Sequence, residues 1–173
     1  MRIEDDERAM LVDRDFKPMS IRSLDLRVPP VAQVLISAAL MWLGARSVPR
    51  LGFPLPGRPF IACGVGLLGA LISILGVVAF KRARTTVNPM KPESSSSLVV
   101  AGIYRVTRNP MYLGFLLILL GWAAYLSNVL SVLAIPAFVL YMTVFQIRPE
   151  ERVLDSLFGP EFAAYQARVR RWI

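Results

Sequence analysis

The chain has 173 residues, 55% of them hydrophobic, with a mean hydropathy of +0.52. That length fits one domain, and that composition excludes an ordinary soluble core. A formal net charge of +8 would suit nucleic acid, but the cations fall between apolar runs instead of along one stripe, which is the pattern of a polytopic membrane protein and leaves no nucleic acid among the expected partners.

Residues 1–27 carry six Lys/Arg, seven Asp/Glu and no apolar run, so a solvated polar tail is expected and a cleaved signal peptide is not. The first span is expected over residues 28–45, opened by Pro29 and Pro30 and closed near Arg46. A loop rich in Pro, Gly and Arg leads to a second span over 59–80, where Gly64, Gly66, Gly69 and Gly76 let a neighbouring helix approach closely. Cys63 lies inside it without a partner and reads as a small buried hydrophobe. The next 29 residues, 81–109, hold a turn-forming stretch at 85–89, a serine run at 94–97 and an apolar segment from 98 to 104, a length that suits a binding loop or a flexible linker.

A third span over 110–126 and a fourth over 129–147 are separated only by Ser127-Asn128, so they form an antiparallel hairpin, with Pro136 expected to kink the fourth helix. Two short helices follow, one from 149 and one over 160–172, broken at Gly159-Pro160 and lying along the membrane interface. The expected fold is all-α and polytopic: about four transmembrane helices, a helical hairpin and two short cytoplasmic helices, in one domain over 28–173. Of the 20 Lys/Arg, 17 lie in the tail, the 81–109 connection and the C-terminal segment. The positive-inside rule therefore puts both termini and the long loop in the cytoplasm; the membrane expected is a bacterial inner membrane.

The absence of histidine removes imidazole acid-base catalysis, Cys/His zinc sites and Ser-His-Asp triads together. Chemistry then rests on carboxylates, tyrosines, arginines or a cofactor. Two polar clusters flank the hairpin: Tyr104, Arg105, Arg108, Asn109 and Tyr112 before it, and Arg148, Glu150 and Glu151 after it. A hairpin returns to the face it left, so the clusters meet. Each residue also has an ordinary use: Asn109 as an N-cap, Pro110 as a first helical residue, the glutamates as first-turn acids, the arginines as positive-inside residues and the tyrosines as interfacial aromatics.

The pattern Tyr104-x-x-x-Arg108-Asn109-Pro110-Met111-Tyr112-x-Gly114, followed by Glu150-Glu151-x-x-Leu154-x-x-x-Phe158-Gly159 and Tyr165, resembles the integral membrane methyltransferases of the isoprenylcysteine carboxyl methyltransferase family, relatives of the phospholipid N-methyltransferases. The resemblance covers roughly residues 85–172. It implies S-adenosylmethionine as methyl donor, bound at the cytoplasmic end of the hairpin, and a lipophilic acceptor that arrives from the bilayer and carries a prenylcysteine-like carboxylate, an amine or a thiol. Tyr104, Arg108, Asn109, Tyr112, Glu150, Glu151 and Asn88 are then the cofactor-binding candidates. Arg148 and Glu151 are the catalytic candidates, Arg148 orienting an anionic acceptor. The family usually reads Arg-His-Pro where this chain has Asn109, a side chain that hydrogen-bonds but does not titrate near neutrality. Two other classes stand beside this reading. One is an NADPH-dependent membrane reductase of related architecture. The other is a scaffold or transporter, disfavoured because no Asp, Glu, Lys or Arg falls within a span.

Overall fold

The computed structural model describes residues 28–83 and 97–173, and what it describes is helical apart from turns, connections and one isolated bridge between Gly52 and Asn128. Helix α1 is Pro30–Ser47, α2 is Arg58–Arg82, α3 is Pro110–Leu126, α4 is Val129–Tyr141 and α5 is Arg148–Arg168. Proline stands in the first turn of α1, α2, α3 and α5, where its missing N–H is not needed and its fixed φ suits the helix. Among the described residues two helices are long and apolar enough by themselves to cross a membrane, α2 and the continuous helix Val129–Arg168.

Helix α3 is the centre of the bundle, packed on α2, α1 and α4. Its closest partner is α2, not the α4 of its own hairpin. Backbones meet there because the contact positions are glycines: a Cβ on Gly121 would lie 2.8 Å from the Ala62 carbonyl oxygen, and one on Gly69 would lie 2.9 Å from Leu117 Cβ. Such proximity suits lipid, where tails are as apolar as leucine and helices associate through close contact. Ser73 Oγ adds a hydrogen bond to the Met111 carbonyl at 3.2 Å. The other side of α3 joins Met41, Phe138, Met142 and Ile147 in one buried cluster, and Trp122 Nε1 donates to the Ala38 carbonyl at 3.1 Å.

The two short connections meet at one end of the bundle. Ser127 takes the left-handed conformation (φ 47°) that closes α3, and Asn128 Oδ1 caps α4 by accepting from Leu130 N–H at 3.0 Å. Asn128 Nδ2 donates to the Val48 carbonyl at 3.1 Å, and Phe53 N–H to that of Ser127 at 2.9 Å, binding the turn to the 46–58 loop. The opposite end gathers the close of α2, the starts of α3 and α5, a 3-10 turn at Gly102–Arg105 and the last five residues.

Several expectations are corrected. The chain does not break before 149: α4 passes through a π turn, Met142–Ile147, into α5. Arg148 N–H reaches back five residues to the Thr143 carbonyl, a wide turn placed just before Pro149, which has no N–H to give. The C-terminal segment is two helical pieces meeting at a kink at Gly159 (φ 44°, ψ −116°), the break expected at Gly159-Pro160. The second piece stops at Arg168 instead of 172, because Val169 turns extended and the following carbonyls serve other donors. Cys63 is exposed, not buried, and Pro136 lies inside α4, where the sequence placed it.

Candidate functional site

Helix α3 begins where the sequence placed it, after Asn109, and α5 returns to the same end of the bundle. Arg108 and the glutamate pair are thereby brought together: Arg108 Nη2 lies 3.2 Å from Glu151 Oε1, with both side chains close to nine-tenths buried. Glu151 has a second cation. Arg171 grips it with a fork, Nε to Oε1 at 3.1 Å and Nη2 to Oε2 at 2.6 Å.

Arg108 is left with spare donors. Its Nε and Nη1 are buried and have no hydrogen-bond partner among the described residues. Burial also lowers the Arg108 pKa from its usual value, an effect the Glu151 charge partly offsets. A buried guanidinium with unspent donors can take an anion, because leaving those donors unmatched costs about 1–3 kcal/mol.

Glu150 has different company. Tyr112 Oη donates to Glu150 Oε1, and Gln146 Nε2 donates to the same oxygen at 2.8 Å. Both of these bonds fall on Oε1. Glu150 lies beyond the apolar stretch that ends at Ile147, and burial pushes its carboxyl up to about 7, against the pull of its two donors. It is an acceptor short of a cation, next in the chain to the glutamate that meets Arg108.

The other candidates fall into place unevenly. Asn109 is the residue before α3 but does not cap it: its Nδ2 donates to the Arg171 carbonyl at 2.9 Å. Tyr104 is buried against Phe80, its ring edge-on at 5.3 Å, and its carbonyl accepts from Tyr165 Oη at 2.7 Å. It is a wall of the second apolar cluster, where burial raises its phenol pKa first and Tyr165 and Glu150 raise it further. Arg148 is exposed at the start of α5, and Arg105 is exposed as well. Asn88 lies outside the described residues.

Sequence reasoning missed four participants. Thr107, fully buried, donates from Oγ1 to the Arg171 carbonyl at 3.3 Å and accepts from Asn109 N–H at 3.2 Å. Gln146 holds Glu150, Arg171 holds Glu151, and Trp172 Nε1 donates to Thr143 Oγ1 at 3.3 Å. The one available signal was the i, i+4 spacing of Gln146 and Glu150 on a continuous helix.

Beside this network lies an apolar crevice of about 650 Å³ between the end of α2 and residues 98–106. Leu75, Val78, Leu98, Val100 and Ile103 line it, with Arg82 as its charged member.

Residues 58–161 match the family described as "Phospholipid methyltransferase". The chain belongs to that family. The matched region runs from the first residue of α2 to just past the kink in α5, so it includes the Arg108, Tyr112, Glu150 and Glu151 network. Among curated relatives, this phospholipid methyltransferase family member is 36% identical over 111 residues to the yeast Saccharomyces cerevisiae protein-S-isoprenylcysteine O-methyltransferase, covering 60% of the chain and 46% of the relative. It is 29% identical over 103 residues to protein-S-isoprenylcysteine O-methyltransferase B of Arabidopsis thaliana, covering 60% and 52%. An uncharacterised protein of Haemophilus influenzae is 48% identical over 63 residues, 36% of the chain and the whole of that relative. The chain spans about half the length of the plant and yeast relatives.

Proposed function

We propose that the protein transfers a methyl group from S-adenosylmethionine to a lipophilic acceptor, a prenylcysteine-like carboxylate being the first choice, at the cytoplasmic face of a bacterial inner membrane. The observation that carries this reading is at one end of the bundle: two buried nitrogens on Arg108 without a partner among the described residues, and Glu150, whose carboxylate meets a phenol and an amide and no cation among those residues. An α-amino acid carries the complement, a carboxylate next to an ammonium. Membership of a methyltransferase family and the names of the yeast and plant relatives support the same reaction.

In this reading Arg108 binds the donor's carboxylate, Glu150 its ammonium, and Tyr112 fixes Glu150. When bound, S-adenosylmethionine supplies a methyl group activated by a sulfonium. The residues supply alignment and exclusion of water, which is most of what an in-line displacement needs, and a carboxylate or thiolate acceptor needs no general base. That agrees with a chain lacking histidine. The crevice beside the site is apolar enough for a lipid chain, and Arg82 on its lining suits an anionic head. Four spans, α1, α2, α3 and α4, would put the two short connections on one side and the site on the other. With the site on the cation-rich side, it faces the cytoplasm.

The test is incubation of host lipid extracts with radiolabelled S-adenosylmethionine and membranes containing or lacking the protein. Label should enter an organic-extractable product only with the protein present, and Glu150→Gln should reduce it at least about tenfold, as loss of a charge-assisted contact predicts. Equal labelling without the protein would remove this reading.

A further inference from the structure

The last five residues are tied into the site by a set of contacts that packing alone does not call for. Arg108 N–H donates to the Arg170 carbonyl at 3.0 Å, the Arg171 carbonyl accepts from both Thr107 and Asn109, and Trp172 reaches Thr143. The backbone at 170–171 is therefore fixed by the same loop that carries Arg108. From this anchored position the Arg171 side chain takes both oxygens of Glu151, leaving Arg108 a single contact, through Nη2.

The consequence follows from the shape of a guanidinium. A carboxylate pairs with it best by two parallel bonds, and either edge that includes Nη2 also includes Nε or Nη1. Those are the two nitrogens that stand unpartnered. A Glu151 free to turn would pair along such an edge and consume a donor the ligand needs. Arg171 prevents this by occupying the second oxygen.

We propose that Arg171 is a positioning residue: its fork, held in place by the C-terminal strap, keeps Glu151 from closing on Arg108 and so preserves the free donor edge for a ligand carboxylate. This rests on the methyl-donor reading above and adds a residue, and a role for the chain's last turn, to it. The role is one of geometry and not of charge alone, so lysine does not substitute for arginine: an ammonium is a single point and leaves one carboxylate oxygen free.

The experiment is calorimetric titration of the purified full chain in detergent with S-adenosylmethionine and with its decarboxylated form, which keeps the ammonium and lacks the carboxylate. Wild type, Arg171→Ala and Arg171→Lys are compared. Both variants are expected to lose at least tenfold in affinity for S-adenosylmethionine and to stay within about twofold of wild type for the decarboxylated ligand, which also reports that they are folded. Recovery of S-adenosylmethionine affinity in Arg171→Lys would show that charge suffices and overturn the proposal. So would equal losses for both ligands, or unchanged affinity in Arg171→Ala. Failure of the wild type to bind either ligand would instead count against the methyl-donor reading itself, and the proposal would fall with it.

Discussion

Glu150 and Glu151 are neighbours in the chain, yet Glu151 faces two guanidiniums while Glu150 faces a phenol and an amide. The difference decides their protonation. Without a cation beside it, Glu150 is raised from 4.5 to about 7 by burial, so between those values the folded protein holds a proton that the unfolded chain has released. Stability from this group is complete below about pH 4.5 and is lost as pH rises through about 7, the sign that linkage requires for a raised carboxyl. The apparent unfolding temperature in detergent should therefore fall between about pH 5 and 8, and Glu150→Gln should flatten the slope; an unchanged slope contradicts this assignment. Ligand binding runs the other way. A ligand ammonium requires the carboxylate, so affinity for S-adenosylhomocysteine should rise over the same range with release of a proton, readable by titration in buffers of different ionisation heat. Arg108 and both glutamates were legible in the sequence because their types and their flanking of a hairpin point to an anion and a cation site. Thr107 and Arg171 were not, because their roles depend on a tail that leaves the helix at Val169, which no local propensity announces.

At the scale of elements, α3 is positioned by glycine contacts with α2 more than by its hairpin partner. Gly121→Ala would place a Cβ 2.8 Å from the Ala62 carbonyl and 3.2 Å from Gly66 N, both backbone atoms that cannot step aside. It should destabilise by about 1–3 kcal/mol, as overpacking does. Gly64 meets nothing within 4 Å, so Gly64→Ala should be neutral or gain up to about 1 kcal/mol from helix propensity. Denaturant titrations in mixed micelles compare them, and equal effects would contradict the packing described. The start of α3 was legible because Asn-Pro marks a helix opening. Of the four glycines expected to pack, Gly69 and Gly76 meet α3 while a Cβ on Gly64 or Gly66 would meet nothing within 4 Å: a small-residue stripe shows a face and names neither its partner nor which of its members make contact. The break expected at 148–149 failed because proline tolerates a helix when a wide turn precedes it, and the π turn supplies one.

The whole molecule has two distinct ends, one made of short connections and one holding the charged network. The proposed four spans would produce this, and the sidedness can be measured. With Cys63 replaced by serine, single cysteines at Phe53 and at Arg105 should be labelled by an impermeant maleimide from opposite sides, Arg105→Cys from the cytoplasm; labelling from the same side contradicts four spans. Composition and cation placement made a helical membrane fold legible, since each reflects the solvent around the chain. Which donors of Arg108 stay unmatched among the described residues was not legible, because it depends on how its neighbours pair. The central claim is a site for an amino-acid-bearing methyl donor built on Arg108 and Glu150. Its most direct test is calorimetric titration of the purified protein with S-adenosylhomocysteine and with NADPH. Binding of the former alone is expected, weakened by Arg108→Ala at least about tenfold, the range for a charged hydrogen-bonding partner. Binding of NADPH instead, or Arg108→Ala indistinguishable from wild type, would contradict it.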